Sequence, residues 1–197
     1  MSLCYTVGID EVGRGPLAGP VTVCALIMRR EAMRKFVGDY DSKKLSVKQR
    51  EELFARIREH KKEGKLDFAI CSVSHKVIDQ KGIVYAVHLA ISRALARLNV
   101  SLGVEIPNLT KVLLDGGLRA PSEFRDQQTI IKGDAKVPII GLASVIAKVY
   151  RDKRMINSVT RYPNWGFEKN KGYGTRAHYQ ALKKHGPSPI HRKTFLH

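Results

Sequence analysis

Apolar positions along this chain switch between a two-residue and a three-to-four-residue rhythm, so strands and helices alternate from the start. Tyr5 to Asp10 reads as a first strand, the Gly/Pro-dense stretch from Gly13 to Pro20 as a loop, and Val21 to Met28 as a second strand. Ser46 is placed to cap a helix running to about Glu63, with Leu53, Phe54 and Ile57 on one stripe and Arg50, Arg56 and Arg58 facing water. Leu66 to Val73 follows as a third strand. The clearest helix is Ile83 to Leu98, where Val84, Val87, Ile91, Ala94, Leu95 and Leu98 recur on one face and Gly82 breaks it from a preceding turn. Lys111 to Asp115 and Thr129 to Ile131 are short strands, and Pro138 opens a helix to about Ser158. Beyond Tyr162-Pro163 the chain turns irregular and basic, with a last helix near Thr175 to His185 that ends at Gly186-Pro187. The pattern is that of one α/β domain.

Composition narrows what such a unit does. Of 197 residues, 43% are hydrophobic, enough for a real core, which excludes wholesale disorder. Val21 to Met28, the longest apolar stretch, is far too short for a membrane span, and Arg14 comes too late for a signal peptide, so membrane and secreted classes are disfavoured. Cys4, Cys24 and Cys71 form no C-x-x-C pair and sit in apolar runs, as buried thiols in a reducing cytoplasm do. Lys and Arg number 35 against 18 acids, a net charge of +17. Such a balance suits a polyanionic partner, because each neutralised phosphate releases counterions. Residues 148 to 197 hold twelve of these cations and only Asp152 and Glu168, which marks the last quarter as a nucleic-acid face.

Against that background the acids stand out. An apolar strand runs straight into Asp10-Glu11, and Val112-Leu113-Leu114 delivers Asp115 in the same way. Buried carboxylates are costly without compensation. On the helix from Pro138, the 3.6-residue turn puts Gly141, Ser144, Val145, Lys148 and Asp152 on a small, polar face opposite Ile139, Ala143, Ile146 and Tyr150. Converging carboxylates call for hard cations, and Mg²⁺ or Mn²⁺ fits oxygen donors best, whereas no Cys/His set for zinc is present. Taken singly, each acid has a plain alternative: Asp10 caps a loop, Asp115 starts a turn with Gly116-Gly117, and Asp152 pairs with Arg151 or Arg154. Gly13-Arg14-Gly15-Pro16 directly after the acid pair permits close backbone approach to a ligand beside a fixed positive charge.

The segment Gly8-Ile9-Asp10-Glu11-Val12-Gly13-Arg14-Gly15-Pro16-Leu17-Ala18-Gly19-Pro20 resembles the opening signature of ribonuclease HII, the type-2 ribonucleases H. Asp41-Ser42-Lys43-Lys44-Leu45, Leu114-Asp115-Gly116, Lys132-Gly133-Asp134 and the run from Ala143 to Asp152 are similar to further motifs of that family, in order. So are Asn170-Lys171-Gly172-Tyr173-Gly174-Thr175 with His178, and His191-Arg192-Lys193-Thr194-Phe195. Arg14 favours ribonuclease HII over its sister ribonuclease HIII. Two positions depart: Gly82 and Gly117 stand where the family usually has Asn.

The resemblance implies a ribonuclease H-like mixed sheet flanked by helices, with a catalytic core over 1–158 and a C-terminal helical extension over 159–197. Carried over by position, Asp10, Glu11, Asp115 and Asp152 hold two Mg²⁺ or Mn²⁺ ions, and Asp134 is set aside as part of a turn. Gly13, Arg14 and Gly15 read the ribose hydroxyl and its phosphate, Tyr173 packs on the next sugar, and Lys43 and Lys148 contact substrate. The implied substrates are RNA–DNA hybrids and DNA duplexes containing ribonucleotides, cut to 3′-hydroxyl and 5′-phosphate ends by a cytoplasmic monomer. No clamp-docking tail is evident, and a clamp partner stays open. Two rivals remain: a non-catalytic RNA-binding module, which needs no acids at strand ends, and a metal nuclease for DNA junctions, which ignores the 2′-hydroxyl.

Overall fold

The computed structural model describes residues 5–29, 44–102, 107 and 110–196. Strand β1 (Tyr5–Val12) pairs antiparallel with β2 (Val21–Arg29), and β2 pairs antiparallel with β3 (Leu66–Val73). On its other side β1 runs parallel to β4 (Thr110–Asp115), which runs parallel to β5 (Gln127–Ile130), giving the order β3-β2-β1-β4-β5. The apolar pattern of β1 and β2 reads as near-continuous because both faces of the sheet are covered.

Helices α1 (Val47–Lys62), α2 (His75–Lys81) and α3 (Ile83–Leu102) precede β4. The short α4 (Gly133–Lys136) leads into α5 (Pro138–Asn157), and α6 (Phe167–Asn170) and α7 (Arg176–His185) follow. Ala86, Val87, Ala90, Ile91, Ala94, Leu95 and Leu98 of α3 bury against Val7, Ile9, Val23, Val112 and Leu114 on one face of the sheet. On the opposite face, Ile139, Leu142, Ala143, Ile146 and Ala147 of α5 meet Cys24, Leu26, Met28 and Leu113, with Ile57 of α1 closing the cluster. By length and composition α3 is apolar enough to cross a bilayer. Its apolar stripe is nevertheless spent on the sheet, which accounts for that composition.

Ser46 caps α1 as expected: its hydroxyl accepts from Gln49 N–H while the Gln49 side chain accepts from Ser46 N–H, a reciprocal capping box. Three expectations need correcting. Val84, expected on the apolar face of α3, is exposed. The stretch before Gly82 is a helix, not a turn, but its seven residues bury only Ile78 and leave no periodic trace. The long helix from Pro138 lacks two opposed faces, since everything from Ile139 to Ala147 is buried and Tyr150 is exposed. It lies between the sheet on one side and α1, α4 and the C-terminal segment on the others. Cys24 and Cys71 are buried free thiols, as read from the sequence, while Cys4 lies outside the described residues.

Candidate active site

Parallel pairing aligns Ile9 with Leu114, so the next residues, Asp10 and Asp115, emerge side by side at the carboxyl ends of neighbouring strands. In open α/β sheets this edge is where loops part and ligands bind. Strand side chains alternate. Ile9 and Leu114 point into the α3 core, which turns Asp10 and Asp115 toward α5. There Ser144 hydrogen-bonds Asp10, and Asp10 Oδ1 also accepts from the Glu11 N–H at 2.7 Å. Asp115 Oδ1 accepts from Gly133 N–H at 2.7 Å, with Asp134 N–H at 3.4 Å, so the start of α4 orients that carboxylate. This gives the Lys132-Gly133-Asp134 turn a job. It presents amides to Asp115, while the Asp134 side chain is buried away from the cavity lining.

The electrostatics are unbalanced. Asp10 is 5% exposed, and burial, then the charges of Glu11 and Asp115, push its carboxyl well above the ordinary range. Burial also raises Glu11, against the pull of Arg14, whose Nη1 lies 3.5 Å from Glu11 Oε1. Glu11 Oε2 is buried with no hydrogen-bond partner among the described residues. Asp10, Glu11 and Asp115 open onto one cavity of about 530 Å³, shared with Gly13, Arg14, Gly15, Ser144, Lys148 and Tyr173. Arg50 lines it as well, although the sequence placed it facing water. Its approach depends on how α1 docks beside α5, for which its own neighbourhood holds no signal.

Asp152 stands apart. It follows Ser144 and Lys148 at four-residue steps along α5, and Lys148 Nζ holds its Oδ1 at 2.9 Å, outside the cavity lining. Its ion pair is thus with Lys148, while Arg151 interacts with its charge only through space. Among the described residues no three acid, His or Cys side chains already form a ready metal cage. The donor chemistry still suits a hard divalent cation: all oxygen, one oxygen orphaned, and mutual repulsion that a cation relieves. Lys43 lies outside the described residues.

The loop after β1 is set from behind. Arg192, fully buried, donates through Nη2 to the Gly13 carbonyl at 2.6 Å, through Nη1 to the Arg14 carbonyl at 2.7 Å and through Nε to the Gly19 carbonyl at 3.0 Å. A trans peptide points its N–H opposite to its C=O. The Arg14 and Gly15 N–H groups therefore face away from Arg192, toward the cavity, and no described residue accepts from either. Arg151, also fully buried, donates to the carbonyls of Pro20, Lys171 and Ala18 and joins this loop to the C-terminal segment. Its stem lies so close to Gly13, at φ 92°, that an added Cβ would come within 2.3 Å of Arg151 Nε. Opposite, the Tyr173 ring is 37% exposed, with Lys148 Nζ and Arg151 Cζ at 5.6 and 5.5 Å from its centroid.

Comparison with known proteins matches this arrangement to one family, since the family model for ribonuclease HII aligns with residues 7–197. The chain belongs to the ribonuclease HII family. It is accordingly a ribonuclease H, a metal-dependent hydrolase of nucleic acid. Ribonuclease HII of Endomicrobium trichonymphae is 46% identical over 188 residues, covering 95% of this chain and 83% of that one. Ribonuclease HII of Archaeoglobus fulgidus, solved in complex with PCNA, superposes with a TM-score of 0.74 at 24% identity, over 98% of this chain and 96% of that one. Bst-RNase HIII in complex with Mn²⁺ gives 0.68 at 18% identity, over 94% and 64%. The mixed sheet flanked by helices is thus the ribonuclease H-like fold the sequence resemblance implied.

Proposed function

We propose that the enzyme cleaves the RNA strand of RNA–DNA hybrids, and at ribonucleotides embedded in duplex DNA, leaving 3′-hydroxyl and 5′-phosphate ends. The observation that carries this reading is the shared cavity, lined by Asp10, Glu11 and Asp115 together with Arg14 and Gly15, whose N–H groups are turned away from Arg192. Asp10, Glu11, Asp115 and Asp152 would hold two Mg²⁺ or Mn²⁺ ions, which when bound supply activation of water and stabilisation of the leaving 3′ oxygen. Lys148 is the present counter-ion of Asp152 and engages its Oδ1.

The protein's own groups supply selectivity. Only the 2′-hydroxyl separates RNA from DNA at one nucleotide. Amide donors with no acceptor among the described residues, on peptides whose carbonyls a buried guanidinium holds, suit that hydroxyl and the adjoining phosphate, and Arg14 and Arg50 add positive charge at the same rim. Tyr173 lays its ring on the neighbouring sugar. The enzyme works as a monomer in the cytoplasm, where the buried thiols Cys24 and Cys71 stay reduced.

The test is a DNA duplex carrying one ribonucleotide, incubated with Mg²⁺, with Mn²⁺ and with chelator, and its ends mapped. Cleavage only with metal, giving 3′-hydroxyl ends, is expected. A 2′,3′-cyclic phosphate, formed by attack of the substrate's own hydroxyl, would overturn the mechanism, and equal cleavage of an all-DNA control would favour the junction-nuclease rival.

A further inference from the structure

Behind Tyr173 two histidines are buried together. His178, in the first turn of α7, is fully buried and His191 nearly so, with their Nε2 atoms 2.9 Å apart. The direction of the chain they form follows from its ends. Ser188 N–H donates to His191 Nδ1 at 2.8 Å, with the Ser188 hydroxyl 2.7 Å from the same atom, so that nitrogen is an acceptor. A neutral imidazole has one donor and one acceptor. His191 therefore carries its proton on Nε2 and gives it to His178 Nε2. His178 then carries its own proton on Nδ1, which donates to the Tyr173 carbonyl at 2.9 Å. The chain has one polarity and works only with both rings neutral.

Its surroundings maintain that state. Trp165 and Phe167 pack their rings against the pair, and burial lowers both histidines, His191 to about 4 with His178 and His75 adding to the effect. The charged and titratable groups nearby are Arg192, turned toward the Gly13 loop, and His75, Lys76, Asp79 and Lys193, which line a cavity together with Ser188 and His191. His185 lies against Trp165. The pair ends on the main chain of the residue whose ring stands in the active-site cavity. The same carbonyl also accepts from Thr175 N–H at 2.8 Å, while Tyr173 N–H donates to the Asn170 carbonyl at 2.9 Å. Both main-chain polar groups of Tyr173 are thereby held.

The geometry points to His178 and His191 as positioning residues, a one-way hydrogen-bond chain that fixes the Tyr173 backbone so that its ring engages the substrate sugar. This rests on the reading of Tyr173 as a substrate contact. Removing one such bond is worth roughly a two- to tenfold change. In single-turnover cleavage of the one-ribonucleotide duplex, His178→Leu is expected to fall by that factor, and His178→Asn, whose amide mimics the Nδ1 donor, to recover most of the rate. Tyr173→Ala combined with His178→Leu should be no slower than Tyr173→Ala alone, because both act through one ring.

Multiplying losses, or a wild-type rate for His178→Leu while Tyr173→Ala is slow, would overturn the chain's role and leave Tyr173's intact. A wild-type rate for Tyr173→Ala overturns the contact itself and the inference with it. Should His178→Leu fail to fold, nitrogen NMR of the intact protein decides. Nδ1–H on His178 and Nε2–H on His191 at pH 7 are expected, and a charged ring or the opposite tautomers refute the chain.

Discussion

Gly8 of β1 lies so close under Ile139 of α5 that a Cβ on the glycine would stand 2.5 Å from the Ile139 carbonyl oxygen. Two residues later on the same face comes Asp10, and a little over one turn later on the helix comes Ser144, its hydrogen-bond partner. The contact thus sets the height at which α5 delivers Ser144, Lys148 and Asp152.

Gly8→Ala forces helix and sheet apart and is expected to destabilise the fold by about 1–3 kcal/mol, the usual cost of overpacking. Urea unfolding measures that loss. Cleavage should drop further than stability, because the shift reaches Asp10 through Ser144; a variant as stable and active as wild type would contradict the close packing.

Asp10→Asn and Asp115→Asn keep shape and remove the charge of two proposed metal ligands. Cleavage is expected to fall at least about a hundredfold, since a metal centre contributes several kcal/mol of charge stabilisation. Hybrid binding at low salt should survive or tighten. The metal-free Asp10→Asn protein should melt no lower than wild type, because that carboxyl is buried beside Glu11 and Asp115. Melting curves with and without Mn²⁺ give a second readout: wild type gains stability from the metal and the variants gain less.

Acid should weaken the C-terminal segment through the histidine pair. His178 and His191 titrate lower when folded than when unfolded, so the folded state binds fewer protons. Their contribution is present above the unfolded value near 6.5 and is lost as pH falls toward about 4. Asp10 and Glu11, shifted upward, contribute with the opposite sign. The histidine part is therefore read as the difference between wild type and His191→Gln in urea midpoints at pH 7 and pH 5. A midpoint difference independent of pH would exclude a neutral His191.

Salt dependence locates the nucleic-acid face. Log affinity for a duplex falls by about 0.9 per phosphate contact for each log unit of salt. Removing charge at Lys169, Lys171 or Arg176 should flatten the slope, whereas Lys48→Gln and Arg56→Gln on α1 should leave it unchanged. Equal slopes in both sets would move the face elsewhere.

Much of this was legible because local rules and long-range pairing agree. Leu66–Val73 has the bounds its alternation suggests, set between the Gly64 turn and Ser74 at the start of α2. The strand-end position of Asp10 and Asp115 followed from apolar runs ending in acid, and parallel pairing supplied the adjacency. The basic residues were the hard part. Arg151 and Arg192 counted as surface charge in the sequence, yet both are fully buried, each satisfied by three backbone carbonyls drawn from distant segments. A guanidinium's planar fork suits that role, but no local pattern announces it. Arg192 therefore contacts neither phosphate nor bulk water.

The bond from Arg192 to the Gly13 carbonyl also ties the two ends of the chain together. The donor that aims the Arg14 and Gly15 amides lies near the opposite end of the chain, and joining the two closes a loop of almost the whole length. Each doubling of a loop adds only about 0.6 kcal/mol, so the finished molecule bears little burden. Nearer partners nonetheless meet first: β1 with β2, α4 with Asp115, α5 with the sheet. A chain halted part-way is expected to have its carboxylates gathered and its amide pair still unaimed, so the ribose selection proposed for those amides would be the last property to form.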